Sequence, residues 1–394
     1  MRERIDQDMS FFSTEVEQDL IQRGYSRRNF GRIASLIAGG AALPFYNEAA
    51  MAQLSMRMDA PKDAVRINAN ENPLGPCPEA AEAMYAVIKG GGRYMYEKTF
   101  EFAKTQADLD GVKPDYVQPF AGSSAPLHYS VIAFTSKDRG LVTADPDYEA
   151  AGRAAQFVGA KVTKVKLDAA NGYKHDVKAM LAADPNAGAF YICNPNNPTG
   201  TLTPKSDIAW LIANKPAGSV VILDEAYIHL TNSDFGSDFV QQDKDVVILR
   251  TFSKLFGMAG LRAGAAIGRP DLLKKIMPYS AGALPVTGMV GATASLRVKD
   301  LVPKRRAIIA GTREDTLSWC TKKGYAFIPS VSNKFMVDVK MPARTYIENM
   351  VKEKVLVGRA WPSMPTYVRV SIGLPEEMAK WKVAHEKVMA SANA

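Results

Sequence analysis

Between residues 117 and 268 the chain alternates short apolar runs with longer mixed stretches. Val117 to Phe120, Leu141 to Ala144, Val162 to Leu167, Ala189 to Cys193, Ser219 to Leu223 and Val246 to Leu249 read as buried strands, most of them closed by Gly, Asn or Asp. Helical patterning covers Pro78 to Lys89, with Pro in the first turn, and Pro126 to Phe134. Strands alternating with helices predict an α/β fold: a mostly parallel sheet with helices on both faces, three layers in all. Beyond Gly268 the pattern changes. A long helical region from about Pro285 to Trp319 precedes a shorter α+β tail, in which Asn333 to Val339, Val355 to Val357 and Tyr367 to Ile372 read as strands. Arg66 to Pro76 is expected to be extended and irregular, because it breaks at Pro and Gly.

Composition narrows the possibilities. With 394 residues, 47% of them apolar, the chain can bury a sizeable core. Its net charge of +8 is scattered rather than gathered on a basic face, which argues against nucleic-acid binding. Cys77, Cys193 and Cys320 are too far apart for a metal pair or a disulfide framework, and His128, His175, His229 and His385 suggest no metal centre. The first 52 residues differ in kind. Ser26-Arg27-Arg28-Asn29-Phe30 precedes a Gly/Ala-rich apolar run from Ile33 to Phe45, and Ala50-Met51-Ala52 supplies small residues before Gln53. This resembles a twin-arginine export leader and predicts a periplasmic or exported protein, with a cytoplasmic one as the alternative. The apolar run is too short to be a stable membrane anchor.

Candidate chemistry gathers at the strand exits, where α/β sheets bind ligands. Ser253 and Lys254 follow the Val246 strand, and Arg262 returns to the same neighbourhood if a helical turn intervenes. Lysine can form a Schiff base with an aldehyde, while arginine beside a hydroxyl suits a phosphate. Gly122-Ser123-Ser124 opens a helix and offers a second phosphate-binding turn. Asp224 closes the clearest buried strand, where a carboxylate is costly unless it meets a cation or donor. Tyr148 sits at another strand exit, and Asn194-Pro195-Asn196-Asn197-Pro198-Thr199-Gly200 forms a defined loop. Neither a dinucleotide-binding Gly motif nor a P-loop is present.

Taken together, Asn194 to Gly200, Asp224-Glu225-Ala226-Tyr227, Ser253-Lys254 with Arg262, and Arg369-Val370-Ser371-Ile372-Gly373 resemble the fold type I pyridoxal-phosphate aminotransferases over roughly residues 60 to 375. Asn70-Glu71-Asn72-Pro73-Leu74-Gly75 is particularly similar to the histidinol-phosphate aminotransferase group. The resemblance implies a large cofactor-binding domain over residues 93–290 and a smaller α+β domain built from both chain ends. It assigns residues 1–52 to the leader, 53–92 to an N-terminal arm and part of the small domain, and 291–394 to the rest of that domain.

It also implies roles. Lys254 would hold the cofactor aldehyde and later move the substrate's α-proton. Asp224 would keep the ring nitrogen protonated. Asn197 and Tyr227 would bond the ring oxygen, and Tyr148 would stack on the ring. Ser123, Ser124, Ser253 and Arg262 would grip the phosphate, with Tyr94 reaching it from the other subunit of a homodimer. Asn72, Arg359 and Arg369 would bind an amino donor, either histidinol phosphate or an aromatic or anionic amino acid, with a 2-oxo acid such as 2-oxoglutarate as acceptor. Two departures bear on the substrate: Ser123-Ser124-Ala125 lacks the acid common in the group, and Gly358 adds a residue before Arg359. The same lysine and aspartate would also serve a decarboxylase, lyase or racemase, or a cofactor-binding regulator.

Overall fold

The structure is a computed structural model that describes residues 13–38, 61, 63–280 and 282–392. Its centre is a seven-stranded sheet in the order β2-β8-β7-β6-β5-β3-β4. In chain order these strands are β2 (Val117–Phe120), β3 (Leu141–Asp145), β4 (Val162–Lys166), β5 (Ala189–Cys193), β6 (Val220–Asp224), β7 (Val246–Thr251) and β8 (Gly264–Gly268). β3 to β7 pair in parallel, whereas β8 runs antiparallel between β2 and β7. The exits of β2, β3, β5, β6 and β7 therefore lie along one edge. The Ser124–Phe134 helix has Leu127 to Ala133 buried, which explains its apolar character on every face.

Two smaller sheets complete the fold. β1 (Val65–Ile67) pairs in parallel with β11 (Val355–Val357), and β9 (Phe327–Ile328), β10 (Lys334–Asp338) and β12 (Tyr367–Ser371) form an antiparallel sheet. β1 corrects the expectation that the stretch from Arg66 is irregular. Its partner lies near the other end of the chain, so the pairing leaves no local signal. The helical region after Pro285 is two helices, Val286–Arg297 and Leu301–Lys322. Pro303 explains the break, since a residue without an N–H and with a ring facing the preceding turn is tolerated in a first turn but not in a helix interior. Among the described residues no helix is long and apolar enough to cross a membrane.

The segment before the sheet is packed on it. Helices Thr14–Gln22 and Arg27–Ala38 bury Leu20 and Ile33, and the turn between them buries Tyr25. The Arg23 guanidinium donates to the carbonyls of Ile132 and Thr135, and the Tyr25 hydroxyl donates to Thr135 O at 2.8 Å. Asn29 Nδ2 donates to Val158 O at 3.0 Å. These acceptors lie at the C-terminal ends of the Ser124–Phe134 and Ala150–Val158 helices, where backbone carbonyls have no partner within the helix. The rest of the expected leader, residues 1–12 and 39–52, lies outside the described residues.

Candidate active site

Asp224 is the last residue of β6, in register with Cys193 of β5 and Leu249 of β7. Its carboxylate is buried and accepts the Tyr191 hydroxyl at 2.9 Å and the Ala226 N–H at 3.1 Å. Burial raises its pKa to about 6, against the opposing pull of those two donors and of Lys254. Lys254 follows the end of β7 and is also buried. Its Nζ donates to Ala69 O at 3.3 Å and lies 5.6 Å from the centre of the Tyr227 ring. Asn70 Nδ2 donates to the Tyr227 hydroxyl at 3.0 Å.

The candidate anion-binding end lies one residue before the lysine. Arg262, brought back by the turn over Ala259–Leu261, donates to Ser253 Oγ at 3.3 Å, Ala259 O at 2.8 Å and Ala121 O at 3.2 Å. These acceptors are carbonyls and a hydroxyl rather than a carboxylate, so burial depresses the pKa of Arg262, with only the nearby Tyr148 opposing. Ser123 and Ser124 sit at the N-terminus of the Ser124–Phe134 helix, where free N–H groups favour an anion. Gly122, at φ +91°, makes this possible: a Cβ there would stand 2.3 Å from Arg262 Nη2. At the other side of the lysine turn, Gly257 lets the chain at Gly75 approach so closely that a Cβ would meet its carbonyl oxygen at 2.0 Å. The N-terminal arm is thereby laid against Lys254.

On the substrate side Arg369, in β12, is fully buried; its Nη1 donates to Asn197 Oδ1 at 3.0 Å and its Nη2 to Asn68 O. Arg359 is also buried and pairs with Glu149 at 3.0 Å. Neither is the solvated edge arginine that a strand-side position allows. Trp361 lies under both, 4.8 Å from the Arg359 guanidinium carbon and 5.6 Å from that of Arg369. Asn72 Nδ2 donates to Leu255 O at 2.7 Å and its Oδ1 accepts the Leu74 N–H, which ties this stretch to the lysine turn. The asparagine that reaches Tyr227 and Asn197 is Asn70. Tyr148 is buried at the exit of β3, whereas Tyr94 is 70% exposed and stacks on Tyr96, away from these groups.

Sequence reasoning missed Tyr191, Trp361 and Lys334. Lys334 is fully buried in β10, with Nζ 3.1 Å from the centre of the Tyr227 ring and donating to Ser332 Oγ at 2.9 Å. A lysine opening the strand that runs on into Phe335-Met336-Val337 was the available signal, since buried cations need partners. Tyr191 and Trp361 read as ordinary core aromatics.

The donor set fits pyridoxal phosphate. A buried carboxylate suits its ring nitrogen, an amine close to that carboxylate suits its aldehyde, and an arginine bonded to Ser253 Oγ and, through Ala121 O, to the turn before a helix N-terminus suits its phosphate. Among the described residues no cluster of His, Cys, Asp and Glu could hold a metal ion. Comparison with known proteins agrees with this reading. The profile of the class I and II aminotransferases matches residues 62–383. Histidinol-phosphate aminotransferase 1 of Nitrosococcus oceani is 31% identical over 338 residues, covering 83% of this chain and 90% of that protein. Histidinol-phosphate aminotransferase 2 of Pseudomonas aeruginosa is 32% identical over 339 residues, covering 84% and 90%. The structure of histidinol-phosphate aminotransferase from Sinorhizobium meliloti in complex with pyridoxal-5'-phosphate superimposes with a TM-score of 0.78 at 23% identity, covering 89% of this chain and 96% of that one. The chain belongs to the class I and II aminotransferase family and is a pyridoxal-phosphate-dependent aminotransferase of the α/β, fold type I architecture.

Proposed function

We propose that the enzyme transfers the amino group of an anionic or aromatic donor, histidinol phosphate or an aromatic or acidic amino acid, to a 2-oxo acid such as 2-oxoglutarate. When bound, pyridoxal phosphate supplies an aldehyde that accepts the amino group and a ring that accepts the electron pair left at the donor's α-carbon. Asp224 would hold a negative charge at the ring nitrogen, Asn197 and Tyr227 would bond the ring oxygen and Tyr148 would pack on the ring. Ser123, Ser124, Ser253 and Arg262 would hold the phosphate. The Lys254 amine would hold the aldehyde and would serve as the base that moves the proton at the donor's α-carbon. Arg369, fixed by Asn197 and Trp361, binds the donor's carboxylate or phosphate. Arg359 lies towards its far end, with Glu149 limiting the positive charge there.

The observation that carries this reading is the fully buried Arg369 beside Trp361, held by the neutral acceptors Asn197 Oδ1 and Asn68 O, because a guanidinium desolvated so thoroughly suits a fixed anion. The relatives at 31% and 32% identity favour histidinol phosphate among the candidate donors. A panel of amino donors, read from loss of the cofactor's visible absorbance and its return with 2-oxoglutarate, tests it. Histidinol phosphate should react fastest, and a neutral aliphatic donor that outpaces every anionic one would refute the assignment. Lys254→Ala should abolish turnover.

Two further proposals rest on the surface and the N-terminal segment. The chain forms a homodimer in which Tyr94 reaches the partner's phosphate site; the exposed Tyr85, Ile88, Tyr96 and Phe100 beside it support this. Residues 1–52 act as a twin-arginine leader, a reading supported by Arg27-Arg28 ahead of the apolar run. Fusion of residues 1–55 to a reporter, with Arg27 and Arg28 changed to Lys as control, tests export; cytoplasmic retention of the unaltered fusion would refute it.

A further inference from the structure

Tyr191 is a core tyrosine of β5 that stands beside Asp224. It lies in β5 two residues before Cys193, which is in register with Asp224, so Tyr191 and Cys193 point to the same face of the sheet as Asp224. The ring is completely buried and its hydroxyl donates to Asp224 Oδ2 at 2.9 Å. The other oxygen, Oδ1, accepts the Ala226 N–H at 3.1 Å. Two donors, one from the middle of β5 and one from the turn after β6, thus fix the carboxylate's rotation about its terminal bond. Aspartate's last torsion is broad, so without them the plane of the carboxylate would be free to turn.

We infer that Tyr191 is the positioning residue of the ring-nitrogen site: it locks the Asp224 carboxylate in its charged form and in the one orientation that meets the pyridine nitrogen of the cofactor. Burial first, and the adjacent Asp224 second, hold the phenol well above its ordinary range, so it remains a donor throughout the working pH range. A carboxylate in this position is pushed towards protonation by burial, and Tyr191 is the largest opposing influence. Removing the hydroxyl therefore changes both the geometry and the charge that the ring nitrogen meets. The inference rests on Asp224 being the ring-nitrogen partner, and the test separates the two.

The probe is pyridoxamine 5'-phosphate, which cannot bond covalently to Lys254 and so reports the non-covalent contacts. Its dissociation constant is measured by fluorescence titration of the cofactor-stripped full chain from pH 5 to 8.5, for the wild type, Tyr191→Phe, Tyr191→Gln and Asp224→Asn. Tyr191→Phe should weaken binding about tenfold at pH 7, the loss of one charge-assisted hydrogen bond, and should move the acid limb of the binding curve to higher pH. Tyr191→Gln, which keeps a donor, should recover part of both effects. A Tyr191→Phe curve that superimposes on the wild type while Asp224→Asn weakens binding would overturn the role given to Tyr191. Unchanged binding in Asp224→Asn would overturn the reading of Asp224 itself. A packing defect alone would lower the melting temperature without moving the pH midpoint, and that outcome too would count against the inference.

Discussion

Asp224 is charged at a cost, and the sign of that cost makes a prediction. Its pKa is raised by burial to about 6 from a usual 3.8. In the protein alone this group therefore favours the folded state below pH 3.8, and the advantage is lost as pH rises through 6, on the order of 3 kcal/mol in all. A cationic ring nitrogen reverses the preference, because it needs the carboxylate. Binding of pyridoxal phosphate should release a proton from Asp224, so the rise in melting temperature on adding cofactor should grow as pH increases from 5 to 7.5. The cofactor's own phosphate titrates near pH 6 as well. Asp224→Asn should therefore retain only that smaller component, and equal pH dependence in both proteins would rule out the linkage. Gly122 gives a second residue-level prediction. Alanine there adds backbone strain of roughly 1–3 kcal/mol and places a methyl carbon 2.3 Å from Arg262 Nη2. The guanidinium can swing away, so the larger effect should fall on the phosphate: Gly122→Ala should weaken cofactor binding at least tenfold while the urea midpoint moves only modestly.

Among the elements, the strand exits were the legible part of the sequence. β5, β6 and β7 are runs of β-branched and aromatic residues buried on both faces, so their ends, and with them Asn197, Asp224, Ser253 and Lys254, could be placed without a structure. β8 could not. Gly264-Ala265-Ala266-Ile267-Gly268 has little strand character, and Gly264 is small because Gly122 presses against it, a contact more than a hundred residues away in the chain. β1 and the role of Asn70 depend on long-range pairing in the same way. The least legible element was the N-terminal helix pair, whose composition pointed to a leader while its polar side chains finish two helices of the catalytic domain. Tyr25→Phe and Asn29→Ala each remove one hydrogen bond to a helix-end carbonyl and should each lower stability by about 1 kcal/mol, read as a shift in urea midpoint. Because Arg27-Arg28 lies between these two anchors, the same substitutions should increase export of the full-length protein if the leader is read. Unchanged midpoints in both variants would show that the helix pair is not part of the cooperative unit.

At the scale of the whole molecule the unbalanced feature is an apolar surface. Tyr96 and Phe100 are four residues apart on the Tyr96–Asp110 helix, and Tyr85 and Ile88 are three apart on the Pro78–Ile88 helix, so each pair shares a helix face. All four are more than half exposed, whereas Phe102, Ala103 and Ala107 on the Tyr96–Asp110 helix are buried against the sheet. A patch of this kind beside an exposed Tyr94 suits a second copy of the chain, and closing it would remove large aromatic surfaces from water. The wild type should therefore sediment as a dimer at micromolar concentration. Phe100→Glu combined with Tyr85→Glu places like charges in the patch and should give a monomer with an unchanged far-ultraviolet spectrum. If Tyr94 completes the partner's phosphate site, that monomer should also bind pyridoxal phosphate more weakly. Tyr94→Phe should weaken cofactor binding in the same direction but leave the dimer intact, which separates the contact from the assembly. A wild type that sediments as a monomer, or a charged monomer that holds its cofactor as tightly as the wild type does, would sever the link between this surface and the active site.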